Sequence, residues 1–147
     1  MNCMFIGHHD APSKIKNHLR EAILYLVKEK GISNFWVGNN GNFDYLAQCV
    51  LEELSNEGYD LNFNIVLSRI DERALSGNQN ATVFPEGLEN SLPRYSISKR
   101  NNWLIKNSSF LIAYVKHGFS NSGKILEKAR KKGLYILNLA DIHSSDP

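Results

Sequence analysis

The chain of 147 residues has no apolar run approaching 18 residues, so no segment reads as a membrane span. The start, Met1-Asn-Cys-Met-Phe-Ile-Gly, lacks a basic stretch, and its apolar run is too short for a secretory signal. A cytoplasmic protein is expected. Cysteine is scarce: Cys3 and Cys49 form no C-x-x-C and have no second pair, which argues against structural zinc or a disulfide framework. Charge of one sign is also lacking. Seventeen basic residues against fifteen acidic ones leave a formal charge of +2, too balanced to predict binding to nucleic acid or an anionic membrane. Repeats and low-complexity tracts are absent. What remains is an ordinary globular composition, 42% hydrophobic and 22% charged, of a size that fits a single domain over 1–147.

Five short apolar runs punctuate the chain, at 3–6, 35–37, 63–67, 110–115 and 134–139. Helical periodicity fills most of the gaps. Ile15, Leu19, Ile23, Leu26 and Val27 share one face of a helix over 14–30, and Leu46, Ala47, Val50, Leu51 and Leu54 one face of a helix over 42–56. Shorter helices are predicted over 98–106 and 123–132. Apolar runs that do not alternate with polar residues belong to strands buried on both faces, as parallel strands are. Strands alternating with helices give right-handed βαβ units. The expected fold is therefore an α/β, Rossmann-like doubly wound domain of about five mainly parallel strands in the order 3-2-1-4-5, with helices on both faces. Ligands of such folds sit beyond the carboxyl ends of the strands, where the strand order reverses.

Unusual residues do gather after the strands. Gly7-His8-His9-Asp10 follows the first, and Gly38-Asn-Asn-Gly41-Asn-Phe-Asp44 the second. In the latter, glycines permit a tight turn and the following helix offers free amides and a positive dipole end, a setting for phosphate. An ordinary capped turn, with Asn42 as the cap, fits the same residues, and the segment alone leaves the two open. Asp44 suits the first helical turn and could instead accept from a ribose hydroxyl. Residues 118–124 match the opening of a phosphate loop, but Ile125 stands where magnesium needs Ser or Thr. An anion site at a helix start, with Ser120 and Ser122 as extra donors and no metal, is what remains. Adjacent His8 and His9 point to opposite sides of an extended chain, so a pocket histidine is favoured over a metal pair. Neither a metal nor a cofactor is expected. Arg100-Asn101, at the predicted start of a helix, suits a phosphate clamp, while a plain surface arginine fits the same residues and is the reading they favour by themselves. Trp36 and Trp103 read as core or lid aromatics. The basic run over 128–132 reads as a solvated helix end.

In their order these segments resemble the SLOG superfamily, which joins the Lonely Guy phosphoribohydrolases and the Smf/DprA-type DNA-processing proteins. Gly38, Gly41 and Asp44 match its Gly-rich turn and following Asp, and Arg100-Asn101 its Arg-Asn pair. His9 replaces the Arg of a common Gly-His-Arg, and Ser120-Asn121-Ser122-Gly123 replaces its paired glycines. The resemblance implies a nucleotide or nucleotide-derived ligand held by Gly7, His8, Gly38, Gly41, Asp44, Arg100, Asn101, Ser120, Ser122 and Gly123. It also implies an alternative, hydrolysis or transfer at the N-glycosidic bond of a nucleoside monophosphate. Glu127, or failing it Asp44, would then stabilise an oxocarbenium-like state, and Arg100 would anchor phosphate. The long stretch 69–95 is read as a lid, with a homodimer interface as the competing role.

Overall fold

The computed structural model describes residues 1–67, 82–83 and 93–144. The strands are β1 (Asn2–Gly7), β2 (Asn34–Val37), β3 (Asn62–Val66), β4 (Thr82–Val83), β5 (Phe110–Tyr114) and β6 (Tyr135–Asn138). The helices are α1 (Lys16–Glu29), entered through a 3₁₀ turn at Ser13–Ile15, α2 (Asn42–Asn56), α3 (Pro93–Lys106), α4 (Asn121–Lys132) and α5 (Leu139–Ser144). All strand pairs are parallel, in the order β4-β3-β2-β1-β5-β6. The expected order of five strands holds, and the two-residue β4 extends it at the β3 edge. Most of the stretch 69–95, and with it the lid or interface read there, lies outside the described residues.

Period-two alternation explains the layers. Cys3 and Phe5 face one side of β1, packing with Phe35, Phe110 and Ile112 beneath α1 and α2. Met4 and Ile6 face the other, with Leu111 and Ala113, beneath Leu104 and Ile105 of α3 and Ile125, Leu126 and Ala129 of α4. Burial pushes the Cys3 thiol far up, so it is an inert core group, whereas Cys49 is only half-buried. Trp36 and Trp103 stack edge to face, 5.3 Å between centroids, and Trp36 Nε1 donates to the Asn107 carbonyl at 3.0 Å. They are packing groups of the second layer.

Two helix starts differ from expectation. α3 begins at Pro93, five residues early, because proline is favoured in the first turn, where its missing N–H costs nothing. Arg100 consequently sits in the middle of a helix and not at its start. α4 begins at Asn121, since Ser120 caps it by accepting from the Gly123 N–H at 3.0 Å. Its other end is closed by Gly133, whose φ of 91° is the left-handed C-cap conformation. The short α5 had no sequence signal.

Candidate functional site

The β1–β5 register aligns Gly7 with Tyr114, so both central strands end at one level and their following loops meet. The β1 loop is also laced to the β2–α2 turn. Asn42 N–H donates to the His9 carbonyl at 2.8 Å, and Asn42 Nδ2 to the Ala11 carbonyl at 2.5 Å. Asn42 is therefore not the cap of α2. Gly41 is, at φ 91°, where a side chain would be strained and would press on His9. Asp44 lies in the first turn of α2, and its Oδ2 accepts from the Asn40 N–H at 2.9 Å. The acceptor at this helix terminus is thus the protein's own carboxyl group.

Arg100 reaches the same point from α3. It is 4% exposed, and both Nε (3.3 Å) and Nη2 (2.9 Å) donate to Asn101 Oδ1. Its Nη1 is sealed from solvent and has no hydrogen-bond partner among the described residues. Both this nitrogen and Asp44 crowd the missing side chain of Gly38: a Cβ there would stand 2.8 Å from Nη1 and 2.6 Å from Asp44 Oδ2. A buried guanidinium with a free donor, beside a buried carboxyl it does not bind, costs free energy that a ligand can recover.

Between these groups lies a cleft of about 140 Å³. Of the residues expected at a site, Gly7, Asp44, Arg100, Asn101 and Ser122 line it. Gly38 lies directly under Asp44 and Arg100, and Gly41 backs His9. His8 is outside the lining. Its Nε2 accepts from the Lys116 N–H at 2.9 Å and its ring stands edge-on to Tyr114. Burial, with His117 and Lys116 nearby, holds its pKa below the ordinary histidine value, which preserves the unprotonated acceptor. Ser120 Oγ is spent on the α4 cap and the His117 carbonyl. Gly123 abuts the Gly118 carbonyl, leaving no room for a side chain. Glu127 is exposed on α4, 3.4 Å from Arg130, and is not among the cleft residues.

Sequence reasoning missed His9 and Asn40 as lining residues. The only available signal was their place within the two loops already singled out, because strand alternation does not continue into a turn. Among the described residues no group of three His, Cys, Asp or Glu side chains gathers as a metal site, and no helix is long and apolar enough to cross a membrane.

The whole-chain charge balance conceals a polarity. Residues 93–106 and 121–132, the spans of α3 and α4, carry nine basic residues and one acidic one. The rest of the chain carries eight basic and fourteen acidic residues. The helical layer that supplies Arg100 and Ser122 is thus strongly positive, which favours anions approaching the cleft.

Burial raises the Asp44 carboxyl above the usual range, against the opposing pull of Arg100, the Asn40 N–H and His9. A raised folded pKa means that the native state holds the proton more tightly than the unfolded chain. Stability is then lost as pH rises from the unfolded carboxylate value, about 3.9, through the folded one. Asp44→Asn, a neutral near-isostere, is expected to be more stable than the parent at pH 7 by about 1 kcal/mol, roughly 3 °C in Tm. The advantage should vanish below about pH 4. Melting curves of both proteins between pH 3.5 and 8 check this, and a variant less stable at pH 7 would contradict it.

No family model matches the chain, and no curated protein matches it.

Proposed function

We propose that the cleft binds a nucleotide or nucleotide-derived ligand through its phosphate, as a sensor or binding module. The observation that carries this is the buried Arg100 guanidinium at the cleft wall, whose Nη1 is unpartnered among the described residues. Such a donor is costly in the free protein and forms a strong charge-assisted bond once an oxyanion arrives. Asn101 holds the guanidinium through its other two nitrogens, so the free one is fixed in direction. The location beyond β1, β2 and β5, where the strand order reverses, is where doubly wound folds hold such ligands. The proposal also agrees with the resemblance of Gly38, Gly41, Asp44 and Arg100-Asn101 to the SLOG superfamily, to which we assign the chain on the same terms.

The test is a thermal-shift panel of nucleotides, cyclic nucleotides and ADP-ribose-type compounds on the parent and on Arg100→Met. A ligand at a hundred times its Kd stabilises by about 2.7 kcal/mol, roughly 8 °C here. Arg100→Met should lose most of that shift. If no compound stabilises the parent more than the variant, the proposal fails.

A second reading, cleavage or transfer at an N-glycosidic bond, now rests on Asp44. It is the carboxyl within the cleft, whereas Glu127 lies outside the lining. An ionised Asp44 beneath a sugar would stabilise developing positive charge. Incubation with nucleoside monophosphates, followed by chromatography for free base, decides it: release abolished in Asp44→Asn supports this reading, and no release from any monophosphate excludes it.

A further inference from the structure

We propose that His8 is a latch between the loops that follow β1 and β5, and that its protonation releases the segment that places Ser122 in the cleft wall. It regulates the cleft whatever the cleft binds, and testing it needs no ligand.

Three bonds tie the two loops together. His8 N–H donates to the Tyr114 carbonyl at 3.3 Å, Lys116 N–H to His8 Nε2 at 2.9 Å, and Ser122 Oγ to the Gly7 carbonyl at 3.2 Å. The outer two join groups that do not titrate near neutrality. The middle one depends on an imidazole lone pair. With Nε2 as acceptor, the proton of the neutral ring sits on Nδ1. A second proton goes to Nε2, and the ring then has two donors and no acceptor. The Lys116 N–H would face another N–H, and that bond is lost.

The surroundings add repulsion to the loss. The groups that bear on the ring are His117 and Lys116 of the facing loop and Asp10 of its own, with Tyr114 of β5 edge-on at 6.0 Å between centroids. The His117 ring lies 5.6 Å from that of His8, and the Phe119 ring, 84% exposed, lies 5.7 Å from that of His117. A charge on His8 therefore stands against Lys116 and the first ring of the facing loop, with Asp10 the one counter-charge among these groups. Ser120 N–H and Oγ both donate to the His117 carbonyl, at 3.1 and 2.6 Å, and Ser120 caps α4. Residues 116–122 are thereby one linked unit, and Ser122 is its member on the cleft.

Burial, then His117 and Lys116, hold the His8 pKa below its ordinary 6.5, against Asp10. The folded chain thus binds this proton less tightly than the unfolded one. The latch is whole above about pH 6.5 and is lost as pH falls through the folded value.

NMR of the full chain between about pH 8 and pH 4.5 tests this, through the nitrogen shifts of the His8 ring and amide exchange corrected for the intrinsic effect of pH. In the parent, His8 is expected in its Nδ1–H form at the upper pH. The Lys116 amide should shift with the His8 midpoint, which should lie below about 6.5. Exchange at 116–122 should be at least about tenfold faster at the lower pH. His8→Gln offers a neutral acceptor at similar reach and should show less than about a twofold step. His8→Phe keeps a ring without an acceptor and should exchange fast at both ends. If it does not fold, the parent and His8→Gln still decide. Asp44 also titrates above the usual carboxylate range, within the cleft, and both variants retain it. A tenfold step that persists in His8→Gln therefore belongs to another group and overturns the proposal. So does a Lys116 amide that ignores the His8 midpoint, or a step that stops short of Ser122. None of these results bears on nucleotide binding, and a failed ligand panel leaves the latch standing.

Discussion

Replacing Gly7 with alanine is expected to lower Tm by about 10 °C. Gly7 ends the central strand β1, with Tyr114 of β5 in register beside it. A Cβ at this position would collide with the base of the Phe43 side chain, 2.8 Å from Phe43 Cβ and 2.5 Å from Cδ2. Phe43 is fully buried in the first turn of α2, between the sheet and the helix layer, so the ring has nowhere to swing. The strand or the helix must move instead. Overpacking of this kind costs about 1–3 kcal/mol, and a backbone-to-ring collision at a central strand belongs at the upper end. At roughly 3–4 °C per kcal/mol for a chain of this size, the shift is large. Thermal melts of Gly7→Ala measure it, and a drop under 2 °C would show that α2 slides freely. Adding Phe43→Leu should recover part of the loss, because the two substitutions share one contact and so are not additive.

Gly38→Ala should do the reverse, sparing the fold and removing the ligand. Its Cβ would meet not a packed ring but two polar side-chain ends, Asp44 Oδ2 at 2.6 Å and Arg100 Nη1 at 2.8 Å. Side-chain ends give way more cheaply than backbone, so Tm should fall by no more than about 3 °C, about 1 kcal/mol. What moves, however, is the pair of groups assigned to the ligand. Displacing both by several tenths of an ångström spoils preorganised contacts. We expect about a hundredfold weaker binding of whichever phosphorylated compound stabilises the parent, read by titration calorimetry beside the melts. Affinity within threefold of the parent would mean that Asp44 and Arg100 are not ligand contacts.

The parallel sheet was legible because its cause is local. Both faces of the central strands β1 and β5 are apolar, and that demands helices on both sides and crossover connections between strands. The runs at 3–6, 35–37, 63–67, 110–115 and 134–139 match β1, β2, β3, β5 and β6 to within a residue at each end. Helix α2 was legible to its last residue, because its face of Leu46, Val50, Leu51 and Leu54 is unbroken and Gly41 precedes it. The start of α3 was not. Pro93 opens that helix, but the exposed Tyr95 and Ile97 blur the amphipathic face that would have announced it.

The site divides the same way. By itself the sequence determined which loops meet, since the carboxyl ends of parallel strands in a doubly wound sheet lie along one edge. It placed Asp44 and Arg100-Asn101 among the residues to watch. Only the tertiary structure decided which side chains face the cleft. His8 and His9 are neighbours with equal claims in sequence, yet the Lys116 N–H fixes His8 away from the cleft while His9 lines it. Glu127 has helical spacing compatible with a site, but the α4 face packed on the sheet is that of Ile125, Leu126 and Ala129, which leaves Glu127 in solvent. Asn40 as a lining residue, and the Nη1 of Arg100 that is unpartnered among the described residues, appear only once chain segments sixty residues apart are brought together. Partnerless burial is a property of surroundings, and local sequence does not encode those.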